Sequence, residues 1–261
     1  MAADVQGYVR VHIEPRAAGV VARVTVDNAA KLNILGAALM AELRAELTAL
    51  GAREDLRAVV LTGAGDRAFI GGANVREMAG LDAARAREFI TRLHRVCAAL
   101  RDLPVPAIAR VNGYALGAGL EVAAACDLRV AASNAEFGMP EVRVGIPSVI
   151  EAALLPGLIG WGRTRELLLL GETIDAGTAL RWGLVERVVP ADGLDAAVEA
   201  CLAALLRAGP RAIRLQKKLV RRWEELPVSR AIAAGIDSFA DAYATDEPSR
   251  LMRAFLDRPR R

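Results

Sequence analysis

Two carboxylates stand where carboxylates are expensive. In "VNGYALGAGLEVAAACD" (111–127) Glu121 is the only charge between Arg110 and Asp127, and three glycines lie in the eight residues before it. Burying an unpaired carboxylate in such a run costs several kcal/mol unless it is neutralised or given partners. Twenty residues on, Glu141 follows Met139-Pro140 in "AEFGMPEVRVGIPS" (135–148). Pro140 denies helix to the residue before it, so Glu141 reads as a loop carboxylate. Two carboxyls around one small cavity cannot both ionise cheaply, so one keeps a proton while the other accepts one, the requirement for paired general acid–base work. Spacing alone leaves the plainer readings open: Glu121 bound to a nearby backbone N–H or an arginine, and Glu141 solvated on a loop.

Two glycine-rich segments flank this chemistry. "LTGAGDRAFIGGANVREM" (61–78) and "VNGYALGAGLEV" (111–122) each run from a buried strand through glycines into a helix start. Such turns bring backbone close to a ligand with N–H groups facing outward, at the positive end of the helix dipole. One N–H from each, Ala73 and Ala118, aimed at a single oxygen would make an oxyanion hole from backbone alone. That device suits a thioester carbonyl gaining negative charge, and each donor contributes about 3 kcal/mol to catalysis. Taken singly, either segment is an ordinary strand-to-helix turn.

The elements that must hold these groups alternate in the first half. "GYVRVHIE" (7–14) and "GVVARVTVD" (19–27) read as strands by period-two alternation. Residues 36–51 carry Leu39, Leu43, Leu47 and Leu50 at helical spacing, "RAVVLTG" (57–63) and "PAIARVNG" (106–113) are short apolar runs, and 82–102 reads as a helix between them. Apolar runs of this kind fit parallel strands covered on both faces, joined by right-handed crossovers. From about residue 192 the pattern is helical only. Val228, Ile232, Ile236, Phe239 and Tyr243 form one stripe that must bury itself against the core or another chain. "PADG" (190–193) marks the boundary, and no internal sequence repeat is visible.

The bulk composition sets limits. The 261 residues are 54% hydrophobic and 25% charged, with a net charge of +3. This balance suits a globular chain and is too weak by itself to argue for nucleic acid. Cys97, Cys126 and Cys201 lack metal-ligand spacing and read as buried thiols of a reducing compartment. With no signal-like start and no long uncharged apolar run, the expectation is a cytoplasmic protein without a membrane span.

On "KLNIL" with Asn33 and Leu35, "AFIGGANVREM", "NGYALGAGLEVAAACD", "FGMPEVRVGIP", "DAGTALRWGLVERVV" and "FADAYATDEPSRLMRAFL", the chain resembles the crotonase, or enoyl-CoA hydratase/isomerase, family over nearly its whole length. The resemblance implies an α/β fold: a ββα spiral core over residues 1–191 carrying an acyl-CoA site, then a helical segment, 192–261, that packs trimers or hexamers. It implies that Ala73 and Ala118 supply the oxyanion N–H groups. Lys31, Leu32, Gly72, Asn74, Val75, Arg76 and Gly117 would lie along the substrate and its coenzyme A. Glu121 and Glu141 match the two glutamates of the hydratases, Glu121 acting on water and Glu141 protonating C2. Coenzyme A would be part of the substrate, with neither a further cofactor nor a metal.

Three departures from the family pattern stand out. Asn74 replaces an aspartate, and Ala118 replaces a frequent glycine. "IPSVIEAALLPGLIG" replaces a glycine-rich stretch, and its Ser148-x-x-Glu151 reads as a capping box that starts a helix. That segment puts acyl specificity, more than reaction type, in question. Other motifs carry less. "GLIGWGRT" (157–164) has Arg163 in place of a phosphate-loop lysine and follows a helix instead of a strand. "GAGLEV" lacks the third glycine of a dinucleotide fingerprint. His12 and His94 share no ligand spacing, Trp161 and Trp182 read as packing, and Arg221-Arg222 and the terminal "RPRR" as solvated charge. The competing readings are a Δ3-Δ2 enoyl-CoA isomerase or another acyl-CoA lyase of the same fold, and a non-catalytic RNA binder recognisable by steep salt dependence.

Overall fold

The computed structural model describes residues 7–257; residues 1–6 and the terminal arginine run at 258–261 lie outside the described residues. The first two alternating segments form a full-length antiparallel hairpin, β1 (Tyr8–Arg16) and β2 (Gly19–Asp27), with Tyr8 opposite Asp27 and Arg16 opposite Gly19. After α1 (Ala37–Gly51) the chain winds through successive ββα turns. β3 (Leu56–Gly63) leads through β4 (Ala68–Ile70) into α2 (Val75–Met78) and α3 (Ala83–Arg101). β5 (Ala107–Val111) leads through β6 (Tyr114–Leu116) into α4 (Ala118–Ala125), and β7 (Leu128–Ala132) through β8 (Glu136–Gly138) towards α5 (Leu155–Leu170). β9 (Thr173–Asp175), α6 (Ala176–Trp182) and β10 (Arg187–Val189) close the spiral.

The long strands build one sheet in the order β1-β2-β3-β5-β7-β10, parallel from β2 onward; the three-residue strands build a second, β4-β6-β8-β9. Coverage of both faces explains the apolar runs in the long strands. Val59 and Leu61 of β3 join Leu39, Leu43 and Leu47 of α1 and Leu93 and Val96 of α3 in the main core. The intervening Ala58 and Val60, with Ile108 and Val130, meet Leu194, Val198 and Leu202 of α7 (Leu194–Arg207) on the other face. Then come α8 (Pro210–Trp223), α9 (Val228–Ala242) and α10 (Glu247–Leu256).

Two buried asparagines fasten the turns that carry the glycine segments. Asn112 Nδ2 donates to the carbonyls of Gly63, Gly65 and Ala68, tying the β3–β4 turn to the β5–β6 turn. Asn33 Nδ2 donates to Ala64 and Ala68 carbonyls at 3.0 and 2.8 Å. Trp182 packs against the core as expected. Trp161 does not: it is exposed on α5, with the Arg165 guanidinium 5.5 Å from its ring centre. Its position faces outward because the helix buries Leu155, Ile159, Thr164 and Leu167 instead. All three cysteines are buried, and no helix among the described residues is long and apolar enough to cross a membrane.

Candidate active site

The small sheet sets the geometry. β4 and β6 run parallel with Ile70 opposite Ala115, so the Gly71–Ala73 and Gly117–Ala118 segments leave the sheet side by side. Neighbouring strands lie roughly 4.8 Å apart, the scale on which two amides can share one oxygen. Leu35 locks the first: its N–H donates to the Gly72 carbonyl at 2.9 Å, and its carbonyl accepts from Asn74 N–H at 2.8 Å. Backbone groups alternate in direction along such a segment, so the Ala73 N–H faces away from Leu35. The second belongs to the first residue of α4, where N–H groups have no intrahelical acceptor. Gly72, at φ +128°, lies so close to the turn before α4 that a Cβ there would touch the Leu116 carbonyl at 3.5 Å.

α4 can approach β4 only because residue 119 is glycine, since a Cβ would overlap the Ile70 carbonyl. Gly119→Ala should therefore cost about 1–3 kcal/mol of stability, as overpacking does. Urea unfolding reads this directly, and an unchanged midpoint would mean that α4 is not docked in this way.

Glu121 sits in the first turn of α4 at 3% exposure. Glu141 arrives from the next strand: Gly117 N–H donates to the Gly138 carbonyl at 2.8 Å, and Met139-Pro140-Glu141 continues from β8 into a 3-10 turn, Pro140–Val144. The Glu141 carboxylate lies against Gly117, occupying the space a side chain there would need. Gly117 also has φ +51°, a left-handed conformation that glycine adopts without strain. The strands β4, β6 and β8 thus release Ala73, Ala118 and Glu141 at one edge, with Glu121 one helical turn behind.

The electrostatics follow from this crowding. Burial, then the charges of Glu141 and Glu151, push the Glu121 carboxyl up to about 8, opposed by the Ala152 backbone N–H. At neutral pH Glu121 therefore holds a proton.

The other residues singled out in the sequence gather on the rim. Leu32 accepts from Gly71 N–H at 2.8 Å, which lays the Lys31–Leu32 turn along the Gly71–Gly72 segment, with Lys31 exposed. Asn74 caps α2, its Oδ1 accepting from Arg76 N–H at 3.1 Å, and leaves Val75 and Arg76 exposed beside Ala73.

One expectation fails here. Ser148 and Glu151 form no capping box: the 3-10 turn Ile150–Leu154 has Val149 at its N-terminus and no side-chain cap. Ser148 Oγ instead donates to Glu141 Oε2 at 2.8 Å. Glu151 turns inward to His94, whose Nδ1 lies 2.9 Å from Glu151 Oε1. The carboxylate only accepts, so the ring nitrogen donates. Ser148, Glu151 and His94 are visible in the sequence only as a local pattern and an isolated histidine; their contacts depend on the turn between Glu141 and α5.

The profile of the family described as enoyl-CoA hydratase/isomerase matches residues 16–260. A crotonyl-CoA hydratase of Syntrophomonas wolfei is 36% identical over 228 residues, covering 87% of this chain and 88% of the relative. A short-chain-enoyl-CoA hydratase of Clostridium acetobutylicum is 34% identical, covering 92% of each. Among solved structures, an enoyl-CoA hydratase from Bacillus anthracis superposes with a TM-score of 0.89 at 31% identity, covering 95% of this chain and 96% of that one. Pseudomonas aeruginosa DspI does so at 0.89 and 33% over the full length of both. With its spiral of ββα turns, its two facing glycine segments and these relatives, the chain belongs to the enoyl-CoA hydratase/isomerase family.

Proposed function

We propose that the protein is an enoyl-CoA hydratase, a hydro-lyase that adds water syn across a trans-2-enoyl-CoA to give a 3-hydroxyacyl-CoA. The observation that supports this reading is the parallel pairing of β4 with β6, from which the two glycine segments emerge, with Glu141 against Gly117 and Glu121 in the first turn of α4. The two N–H groups polarise the thioester oxygen, leaving C3 electrophilic and C2 ready for a proton.

The pair of glutamates then needs one proton between them. In the free protein it rests on Glu121. A water bridging the two passes it on, receiving a proton from Glu121 and giving one to Glu141. Glu121, now charged, takes a proton from that water as its oxygen bonds to C3, and Glu141 delivers its proton to C2. The cycle ends with the proton back on Glu121 and Glu141 charged, the state from which it began. Ser148 steadies Glu141 throughout.

Coenzyme A enters as part of the substrate, along Lys31, Leu32, Gly72, Asn74, Val75, Arg76 and Gly117, and the chemistry calls for no further cofactor. Three buried free thiols suit a reducing, cytoplasmic compartment. In residues 192–261 the α9 stripe is open, with Val228, Ile232, Ile236 and Phe239 each more than 60% exposed. Closure of this face against other copies, as a trimer or hexamer, accounts for it.

Incubation with short, medium and aromatic trans-2-enoyl-CoAs, following loss of the conjugated thioester absorbance, tests the reading. A 3-hydroxyacyl-CoA product supports it. A shifted double bond without water addition would make the protein an isomerase, and no reaction with any of them would end the proposal.

A further inference from the structure

The segment that departs from the family pattern brings a third carboxylate to the catalytic edge. Glu151 is 7% exposed and lies in the 3-10 turn Ile150–Leu154, which packs on α4 and α3. One oxygen meets His94, whose side chain is about half exposed on α3. The other, Oε2, is buried with no nitrogen or oxygen donor among the described residues, and on this side the Cys97 thiol reaches the Glu151 carboxyl. The next residue, Ala152, donates its N–H to the Val149 carbonyl at 2.9 Å and lies close enough to Glu121 to favour its charged form. Cys97, one turn along α3 from His94, faces the same space: burial first, then the charges of Glu151 and Glu121, raise its thiol.

A buried carboxylate with only a ring nitrogen and a weak thiol donor beside it is costly, and a chain needing only a filler would place an apolar residue or an amide here. Resting on the hydratase reading above, we propose that Glu151, anchored by His94, is a positioning residue of the catalytic centre whose charge keeps the shared proton on the Glu121–Glu141 pair. The groups that face it come from each packed element: His94 and Cys97 from α3, Glu121 from α4, and Glu141 from the Pro140–Val144 turn. On α5 the charged residues Arg163, Arg165 and Glu166 are exposed. Of these facing groups His94 alone meets Glu151 through a ring nitrogen, and that contact holds the carboxylate turned inward.

The sign of the effect is fixed. A like charge disfavours ionisation of Glu121, so removing the charge lets Glu121 lose its proton at lower pH. Carbon-13 NMR titration of the side-chain carboxyls in the ligand-free protein reads this without any need for turnover. In Glu151→Gln the Glu121 titration should move down by about one pH unit, and the alkaline limb of kcat/KM should move with it. Glu151→Asp, which keeps the charge, should restore most of it. A merely structural Glu151 would lower the melting temperature of Glu151→Gln while leaving the carboxyl titration in place, and that result overturns the proposal. If no enoyl-CoA is turned over, the hydratase reading falls, while the titration still decides whether Glu151 governs Glu121.

Discussion

Glu141→Gln should lower turnover of a trans-2-enoyl-CoA by about a hundred- to ten-thousand-fold, the range that a positioned general acid or base supplies. Glutamine keeps the volume against Gly117 and still accepts from Ser148, so the fold and the rim are spared. It can neither carry a proton to C2 nor return to the charged state that holds the proton on Glu121. Glu121→Gln should fall in the same range. Because the two carboxyls exchange one proton through one water, the double variant should lose far less than the product of the single losses. Affinity for a saturated acyl-CoA should stay near that of the parent in all three, since the rim at Lys31, Leu32 and Asn74 to Arg76 is untouched. Steady-state kinetics and calorimetric titration check both halves. Full activity in both single variants would remove the glutamates from the mechanism.

The sequence carries the large sheet well and the small one poorly, for a physical reason. Nine-residue strands such as β2 show several periods of alternation, and α1 shows its leucines at repeated helical spacing. β4, β6, β8 and β9 have three residues each, too few to show any period. Yet they hold the candidate site, because their pairing brings out the two glycine segments together and delivers Glu141 beside Gly117. The spiral repeats in the backbone without repeating in the sequence, since each turn carries different residues at its exit: Gly72-Ala73, Gly117-Ala118, then Pro140-Glu141.

Glu121 is legible as an anomaly, one charge in an apolar run. Glu151 is not, because Ser-x-x-Glu is a local pattern with a local explanation, and the true partner of each member is remote or belongs to the preceding turn. His94 lies 57 residues from Glu151, and Ser148 is claimed by Glu141. The α9 stripe is plain as an apolar face, but what covers it lies beyond a single chain.

Glu121→Gln should also make the protein more stable, and increasingly so as the pH rises. In the native state the carboxyl holds its proton up to about pH 8, whereas the unfolded chain releases it near 4.5. Between those values the unfolded state binds fewer protons than the native state, so parent stability falls with rising pH. The full span corresponds to roughly 5 kcal/mol as an order of magnitude, at about 1.4 kcal/mol for each pH unit separating the two states. Glutamine, which does not ionise, escapes that loss. Urea unfolding at pH 4.5, 6 and 8 should therefore show the two proteins close together at the lowest pH and the variant ahead by a few kcal/mol at the highest. A difference that stays constant with pH would mean that Glu121 is already compensated in the native state, and that the crowding of Glu141 and Glu151 around it carries no cost. The expected divergence instead ties stability to function: the same desolvation that parks a proton on Glu121 for the reaction is drawn from the folding free energy, so the variant with the firmest fold is one that cannot catalyse.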